Sequence, residues 1–128
     1  MKLLLDTHVL IYATLQQSNL SNQAKEIIQD KTNELYLSTA SIWEMQIKLQ
    51  LGKLNLQPSL QQIIEDQCRV NDLRILSISQ QHIFNLSQLP FHHKDPFDRL
   101  IISQAMTEGF SLLSKDAQIT KYQVNVIW

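Results

Sequence analysis

The sequence is poor in the residues that disulfide scaffolds, linkers and repeats require. Its one cysteine, Cys68, excludes an internal disulfide, so a reducing compartment such as the cytoplasm is expected. Two glycines and three prolines among 128 residues leave no linker or low-complexity segment. With 44% hydrophobic and 18% charged residues, the chain has an ordinary globular composition. We therefore expect one domain over residues 1–128.

Long apolar runs and a strong net charge are also lacking. No stretch approaches the roughly 18 apolar residues of a membrane helix, so no membrane association is expected. The apolar start of the chain is interrupted by Asp6 and His8, which is typical of a buried strand and not of a signal peptide. A net charge of −1 provides no overall attraction for nucleic acid, so any such binding must be local.

What the sequence does have is a regular alternation of short apolar runs with helical patterns. Strands are predicted at Lys2–Leu5, Leu35–Leu37, Leu73–Ile78, Phe110–Ser114 and Val124–Trp128. Helices are predicted from Val9, from Ser21, from Ser38 or Thr39 to Leu51, from Pro58 to Val70, from Gln80 to Leu86, and from Pro96 to Gly109. This order predicts an α/β fold, a three-layer α/β/α sandwich with a central parallel sheet.

The helix before Gly52 carries one apolar stripe at helical spacing. At about 100° per residue, Ala40, Trp43, Ile47 and Leu51 share a face, and Glu44 lies at its edge. Trp43, like Trp128, has the chemistry to stack on nucleobases, but its place in this stripe favours a core position.

Five acids fall at one edge of the predicted sheet. Asp6 ends the first strand, Glu44 is near the start of the helix after the second, and Asp116 follows the fourth. Asp95 and Asp98 begin the helix before that strand, and Asp98 points in the direction of its apolar side. Ligands of open parallel sheets bind beyond the carboxyl ends of the strands. Clustered carboxylates suit Mg²⁺ or Mn²⁺, and metal-assisted phosphodiester hydrolysis is the chemistry indicated.

Each acid also has a purely structural explanation. Asp6 and Asp95 suit the N-cap position of a helix, and Asp98 suits the third position of the same cap as Asp95. Glu44 has Lys48 four residues later, in the favourable order for an ion pair. Asp116 suits a turn. Their joint position at one edge favours the functional interpretation.

Basic and histidine residues lie beside these acids. His92 and His93 match no zinc pattern, and we expect them to be solvated loop side chains. Lys94, Arg99 and Lys115 are candidates for contacts with RNA phosphates, and surface lysines that only aid solubility are the alternative.

Four ordered blocks then support a family resemblance that covers nearly the whole chain. They are LLLDTHVLIYA, STASIWEMQIKLQLGKL, LPFHHKDPFDRLIISQA and LLSKDAQITKY, and they resemble PIN-domain proteins of the VapC-like toxin group. The resemblance implies an α/β/α sandwich and a Mg²⁺- or Mn²⁺-dependent endoribonuclease, the toxin of a toxin–antitoxin pair. It also implies a homodimer and an inhibitory antitoxin partner.

The family's acids fall on residues that are present here. They correspond to Asp6, Glu44, Asp98 and Asp116 as catalytic residues, with Asp6, Asp98 and Asp116 as metal ligands. The resemblance makes Thr7 a supporting hydroxyl. The resemblance does not decide whether Asp95 is a metal ligand or a helix cap.

Other classes agree less well with the sequence. A phosphotransfer receiver domain needs a pair of acids after the first strand and an aspartate after the third, where this chain has Thr7 and Ser79. A haloacid-dehalogenase-type phosphatase needs an acid at the position of His8. A noncatalytic PIN-like module that binds RNA or protein is the stronger alternative, and four intact acids argue against it.

Overall fold

The computed structural model of the protein describes residues 1–128 and contains a five-stranded sheet in which every neighbouring pair is parallel. The strands are β1 (Lys2–Leu5), β2 (Glu34–Ser38), β3 (Arg74–Leu76), β4 (Ser111–Leu113) and β5 (Val126–Ile127). Their order across the sheet is β3-β2-β1-β4-β5. The predicted parallel sheet is therefore confirmed, and β1 lies at its centre.

Six α-helices connect the strands. They are α1 (Thr7–Leu15), α2 (Asn22–Gln29), α3 (Thr39–Gln50), α4 (Leu60–Val70), α5 (Gln80–Phe84) and α6 (Pro96–Glu108). Short 3-10 segments cover Gln17–Asn19, Asn85–Gln88 and Ile119–Lys121. No helix has both the length and the apolar character needed to cross a membrane.

Separate hydrophobic clusters cover the two faces of the sheet. Leu3 and Leu5 of β1 belong to one cluster, which includes residues of α1, α2 and α4. Leu4 belongs to the other, together with Ile101 and Ile102 of α6. Successive side chains of a strand point to opposite faces, so a strand with three buried leucines in a row must be covered on both sides. The predicted three-layer α/β/α sandwich is confirmed.

Most helix boundaries follow the local signals in the sequence. The Ser38 side chain, and not that of Thr39, caps α3 by accepting a hydrogen bond from the amide of Ala40 at 3.0 Å. Gly52 and Gly109 follow α3 and α6 with positive φ angles of 70° and 71°, as expected for residues that end a helix.

Other boundaries differ from the prediction. Helix α4 begins at Leu60, after an N-cap at Ser59, and not at Pro58. The last three strands are shorter than predicted because only their central residues pair with a neighbour. The helix predicted to reach Leu86 is α up to Phe84 and 3-10 beyond it.

The predicted core stripe of α3 is wrong. Trp43 is 60% exposed and Leu51 is 62% exposed, although Ala40 is buried. The buried face of α3 instead contains two polar side chains, Ser41 and Glu44. Ala40 and Met45 are buried with them, and Glu44 accepts a hydrogen bond from Thr7 of α1, so apolar periodicity alone assigns the wrong face of the helix.

Candidate active site

The strand order creates a crevice at the centre of the sheet. From β1 the chain moves to β2 and β3 on one side, and β4 then pairs with β1 on the other side. The chain therefore leaves β1 and β4 in opposite directions, which is the topology at which α/β proteins bind ligands. Asp6 directly follows β1 and Asp116 lies three residues after β4. Both line a cleft of about 370 Å³, together with His8, Tyr12, Lys115 and Ala117.

Asp6 is the most buried acid of this crevice, with an exposed fraction of 4%. Its Oδ2 accepts a hydrogen bond from the hydroxyl of Ser114 at 2.7 Å, whereas its buried Oδ1 has no partner. Asp6 occupies the N-cap position of α1, but its side chain makes no capping hydrogen bond. The cap alternative is therefore wrong for its side chain. Burial raises the pKa of Asp6 because desolvation disfavours the charged carboxylate, and nearby Asp116 and Glu44 raise it further.

Glu44 is held in place by residues of two helices. The hydroxyl of Thr7 donates to Glu44 Oε1 at 2.8 Å and lies 2.9 Å from the hydroxyl of Ser41. Lys48 Nζ lies 3.2 Å from Glu44 Oε2, so the predicted ion pair is present. The same carboxylate is buried and close enough to Asp6 to raise its pKa. Glu44 can therefore form the ion pair with Lys48 and still lie beside the crevice.

Asp98 lies in the first turn of α6, and its side chain is 15% exposed. Burial raises its pKa to about 7, and the nearby charges of Asp6, Asp95 and Asp116 act in the same direction. His93 contacts Asp98 Oδ2 through Nε2 at 3.1 Å, which partly opposes this shift. A carboxylate with such neighbours binds protons readily in the absence of a cation.

Asp95 and Asp116 also shape the backbone around them. Asp95 Oδ1 accepts hydrogen bonds from the amides of Phe97 and Asp98, at 2.9 and 3.1 Å, and so caps α6. Asp116 Oδ1 accepts from the amide of Gln118 at 2.8 Å. Both structural explanations are thus present, and each carboxylate has a second oxygen outside these bonds.

The donor set fits a hard divalent cation. The charges of Asp116 and Glu44 contribute to the raised pKa of Asp6, and the charges of Asp6 and Asp116 contribute to the raised pKa of Asp98. As these side chains stand, no three or more histidine, cysteine, aspartate or glutamate side chains form a group that could hold a metal ion, so a cation would have to draw the carboxylates of the crevice closer together. A buried carboxylate oxygen without a partner is destabilising, and a cation beside the unpartnered Oδ1 of Asp6 would offset that cost. Carboxylate oxygens are the ligands that Mg²⁺ and Mn²⁺ prefer.

Two expectations for the residues around α6 are corrected. Arg99 does not face the crevice: it is 6% exposed and donates hydrogen bonds to the carbonyls of Leu89 and Pro90. A guanidinium so enclosed has no surface to offer an RNA phosphate. His93 is not a solvated loop residue, because its side chain is 15% exposed and bonded through both ring nitrogens.

The two predicted lysines are placed differently from Arg99. Lys94 is exposed, and Lys115 is exposed at the rim of the cleft with its Nζ 4.8 Å from the centre of the Tyr12 ring. Both amino groups therefore remain accessible to a polyanion.

Sequence reasoning missed Ser114 and Tyr122. Ser114 follows β4 directly, and a small polar residue at the carboxyl end of a strand is a usable signal. Tyr122 follows a 3-10 turn, and nothing in its sequence context indicates that its hydroxyl contacts His93 and Arg99.

Comparison with known proteins assigns the chain to a family. The sequence model of the PIN domain matches residues 3–125, so the chain belongs to the PIN-domain family. The predicted family is confirmed. No curated protein matches the chain.

Several solved structures have the same fold. VapBC2 from Rickettsia felis, bound to a DNA fragment from its promoter, has a TM-score of 0.76 and 17% identity, with 99% of this chain and 98% of that chain covered. DNA-bound VapBC from Salmonella typhimurium has a TM-score of 0.68 and 14% identity, covering 99% and 97%. FitAcB from Neisseria gonorrhoeae has a TM-score of 0.64 and 17% identity, covering 98% and 96%. At these identities the similarity establishes the fold.

Proposed function

We propose that this chain is a Mg²⁺- or Mn²⁺-dependent endoribonuclease that hydrolyses RNA phosphodiester bonds. The observation that carries the proposal is the buried, unpartnered Oδ1 of Asp6 beside further acids at the central crevice. Asp6, Asp98 and Asp116 would hold the metal ion, and Asp95 has a free oxygen on the same edge. Membership of the PIN-domain family supports this assignment.

The bound cation would supply an activated water and offset negative charge on the phosphate. The protein's own groups hold the acids in position for this. Ser114 occupies one oxygen of Asp6 and leaves the other free. Thr7 acts as a supporting residue that orients Glu44, whose charge adds to the negative potential of the site. In this proposal Glu44 helps to orient a water molecule or accepts its proton.

Substrate binding must be local, because the net charge is −1. Lys115 lies at the rim of the cleft beside Asp116, so it can contact a phosphate next to the one that is cut. Lys94 precedes the cap of α6 and is exposed. We assign both residues to RNA phosphate contacts.

The partners follow from the same proposal. Two of the similar solved structures are VapBC proteins, which supports a role as a toxin restrained by a cognate antitoxin protein in the cytoplasm. A homodimer is proposed as well, and the exposed Trp43 and Leu51 of α3 provide apolar surface for a protein contact. Expression of the chain alone should arrest bacterial growth, and co-expression of the protein from the adjacent reading frame should relieve the arrest.

The activity is tested with purified protein and a mixed pool of structured and unstructured RNAs. Cleavage is expected with Mg²⁺ or Mn²⁺, and it should be lost with chelator or with Asp98→Asn. Glu65→Gln removes an exposed acid of α4 outside the crevice and should cleave like the wild type. Metal-independent cleavage, or cleavage retained by Asp98→Asn, would contradict the proposed site. Folded protein that binds RNA without cutting it would favour the noncatalytic binding module.

A further inference from the structure

A chain of buried polar groups ends on the carboxylate of Asp98. Arg99 Nη1 donates to the Tyr122 hydroxyl at 3.1 Å, and that hydroxyl lies 2.9 Å from His93 Nδ1. His93 Nε2 in turn lies 3.1 Å from Asp98 Oδ2. Arg99 and Tyr122 are only 6% and 4% exposed, so this chain runs from the protein interior to the acid crevice.

Counting donors and acceptors gives a direction to the row of hydrogen bonds from Arg99 to Asp98. The Tyr122 oxygen already accepts from Arg99 and, at 3.3 Å, from the backbone amide of His93. Two accepted bonds fill its lone pairs, so it acts as the donor toward Nδ1. The alternative acceptor, the carbonyl of His93, is farther away at 3.5 Å. In a neutral imidazole Nδ1 is then the acceptor, and the ring proton on Nε2 points to Asp98.

Arg99 fixes the loop that carries His93. Besides bonding Tyr122, it donates to the carbonyl oxygens of Leu89 and Pro90, at 3.3 and 2.8 Å. Its guanidinium carbon lies 3.9 Å from the centre of the Phe91 ring, a stacked arrangement. A guanidinium is always charged and has a rigid planar fork, so it sets the position of its acceptors closely.

We infer that Arg99, Tyr122 and His93 form a positioning relay that orients Asp98 for metal binding, and that His93 is not itself a metal ligand. The relay occupies Oδ2 of Asp98 and leaves Oδ1, which accepts no hydrogen bond within the chain, free for a cation. This inference rests on the proposed metal site, and it assigns a role to three residues around that site. The same logic applies to known metal sites, in which partners of the ligands hold them in orientation.

The first test is the dissociation constant for Mn²⁺ in the absence of RNA, measured by the electron paramagnetic resonance of free Mn²⁺. Tyr122→Phe keeps the ring in the core and removes only the hydroxyl that fixes His93, so it should weaken binding by up to about 10-fold, the lower end of the range for direct partners of a ligand. Tyr36→Phe is the matched control. This substitution also removes a hydroxyl that accepts a hydrogen bond from an arginine, Arg74. The pair lies on β2 and β3, away from the crevice, so Tyr36→Phe should not change the affinity for Mn²⁺.

A second pair of variants tests the direction of the relay. Glutamine places its amide nitrogen close to the position of the histidine Nε2, so His93→Gln keeps a donor for Asp98 and should retain part of the affinity. His93→Leu has no donor and should weaken Mn²⁺ binding at least as much as Tyr122→Phe. If the relay orients Asp98, His93→Gln must bind Mn²⁺ more tightly than His93→Leu. This comparison can be made even if Tyr122→Phe is too unstable to measure.

The outcomes separate the relay from the proposed function. If the wild type binds no Mn²⁺, the metal site and the relay both fail. If the wild type binds Mn²⁺ and Asp98→Asn weakens it, but Tyr122→Phe and His93→Leu bind normally, only the relay is overturned. Pulsed spectra of bound Mn²⁺ should contain no directly coordinated nitrogen, and an imidazole coupling lost in His93→Leu would also overturn it.

Discussion

Replacing Asp6 by asparagine should make the metal-free protein more stable while removing its function. Asp6 is 4% exposed, and its Oδ1 has no partner. In Asp6→Asn the amide oxygen can keep the hydrogen bond from Ser114, and the amide nitrogen then takes the place of the unpartnered oxygen. The amide nitrogen can donate a hydrogen bond, and the neutral side chain no longer repels the charges of Asp116 and Glu44. The substitution therefore replaces a repulsive charge with a hydrogen-bond donor of the same shape.

The expected magnitude follows from the cost of an unpaired buried polar group. That cost is about 1–3 kcal/mol, and more for a charge. For 128 residues the entropy of unfolding is about 270 cal/mol/K, so the melting temperature should rise by about 4–11 °C at pH 8 without metal. Stabilisation by loss of an active-site charge is a known trade of function for stability.

The gain should depend on pH, and the direction follows from the raised pKa of Asp6. Because the folded pKa lies above the ordinary value of 3.8, folding favours the protonated carboxyl. The wild type therefore loses stability as the pH rises from about 4 through the folded pKa. Asparagine does not titrate, so the advantage of Asp6→Asn should be larger at pH 8 than at pH 4.

The assay is thermal unfolding followed by circular dichroism, in chelator, at both pH values. Asp30→Asn is the control, because Asp30 is exposed and Thr32 lowers its pKa by hydrogen bonding to it. The same substitution there should not raise the melting temperature. A lower melting temperature of Asp6→Asn at pH 8, or a gain that is equal at pH 4 and pH 8, would refute the reasoning.

The remaining predictions concern the metal, the other acids and the cleft. Mg²⁺ or Mn²⁺ should stabilise the wild type by about 2.7 kcal/mol at a free concentration of about one hundred times Kd, measured by thermal unfolding, and should not stabilise Asp6→Asn. Glu44→Gln should abolish RNA cleavage with little change in melting temperature, since it removes one repulsive charge and keeps an acceptor for Thr7. Burial and neighbouring charges raise the pKa of Asp98 to about 7, so Mn²⁺ affinity should fall as the pH drops below about 7 and protons compete, as measured by calorimetry. Lys115→Ala should weaken binding of single-stranded RNA, measured by fluorescence anisotropy at low salt, whereas the exposed Lys53→Ala should not.

Each of these predictions has a clear contrary result. An unchanged melting temperature at millimolar metal would remove the metal site. Cleavage by Glu44→Gln would remove Glu44 from the mechanism. Metal affinity that is constant between pH 5 and pH 8 would mean that Asp98 is not a ligand of the cation. Equal RNA affinity of the two lysine variants would mean that Lys115 does not contact the RNA.

Local patterns in the sequence were sufficient for the architecture. The alternation of apolar runs and helical segments predicted five parallel strands between helices, because burial on both faces requires runs such as Leu3 to Leu5. Glycine at the end of a helix and serine at its start act within a few residues, so Gly109 and Ser38 marked helix boundaries correctly. The lengths of the strands were less predictable, because they depend on which neighbour each residue pairs with.

The position of the acids of the proposed site was also predictable from their order. Asp6 and Asp116 follow strands of one parallel sheet, and parallel strands have their carboxyl ends at the same edge. The sequence therefore determined the fold class, the family and the edge on which the acids lie. These features depend on short-range periodicity and on strand order, which a linear sequence carries directly.

Only the tertiary structure decided which side chains face the crevice and which support it. Trp43 is exposed, and the buried residues of the same helix are Ala40, Ser41, Glu44 and Met45. Arg99 is buried and His93 is bonded to Asp98 because Tyr122, more than twenty residues away in sequence, supplies the hydroxyl between them. Such contacts join groups that are distant along the chain, and their geometry depends on the packing of whole elements. No local sequence pattern around any one of these residues indicates the geometry of these contacts.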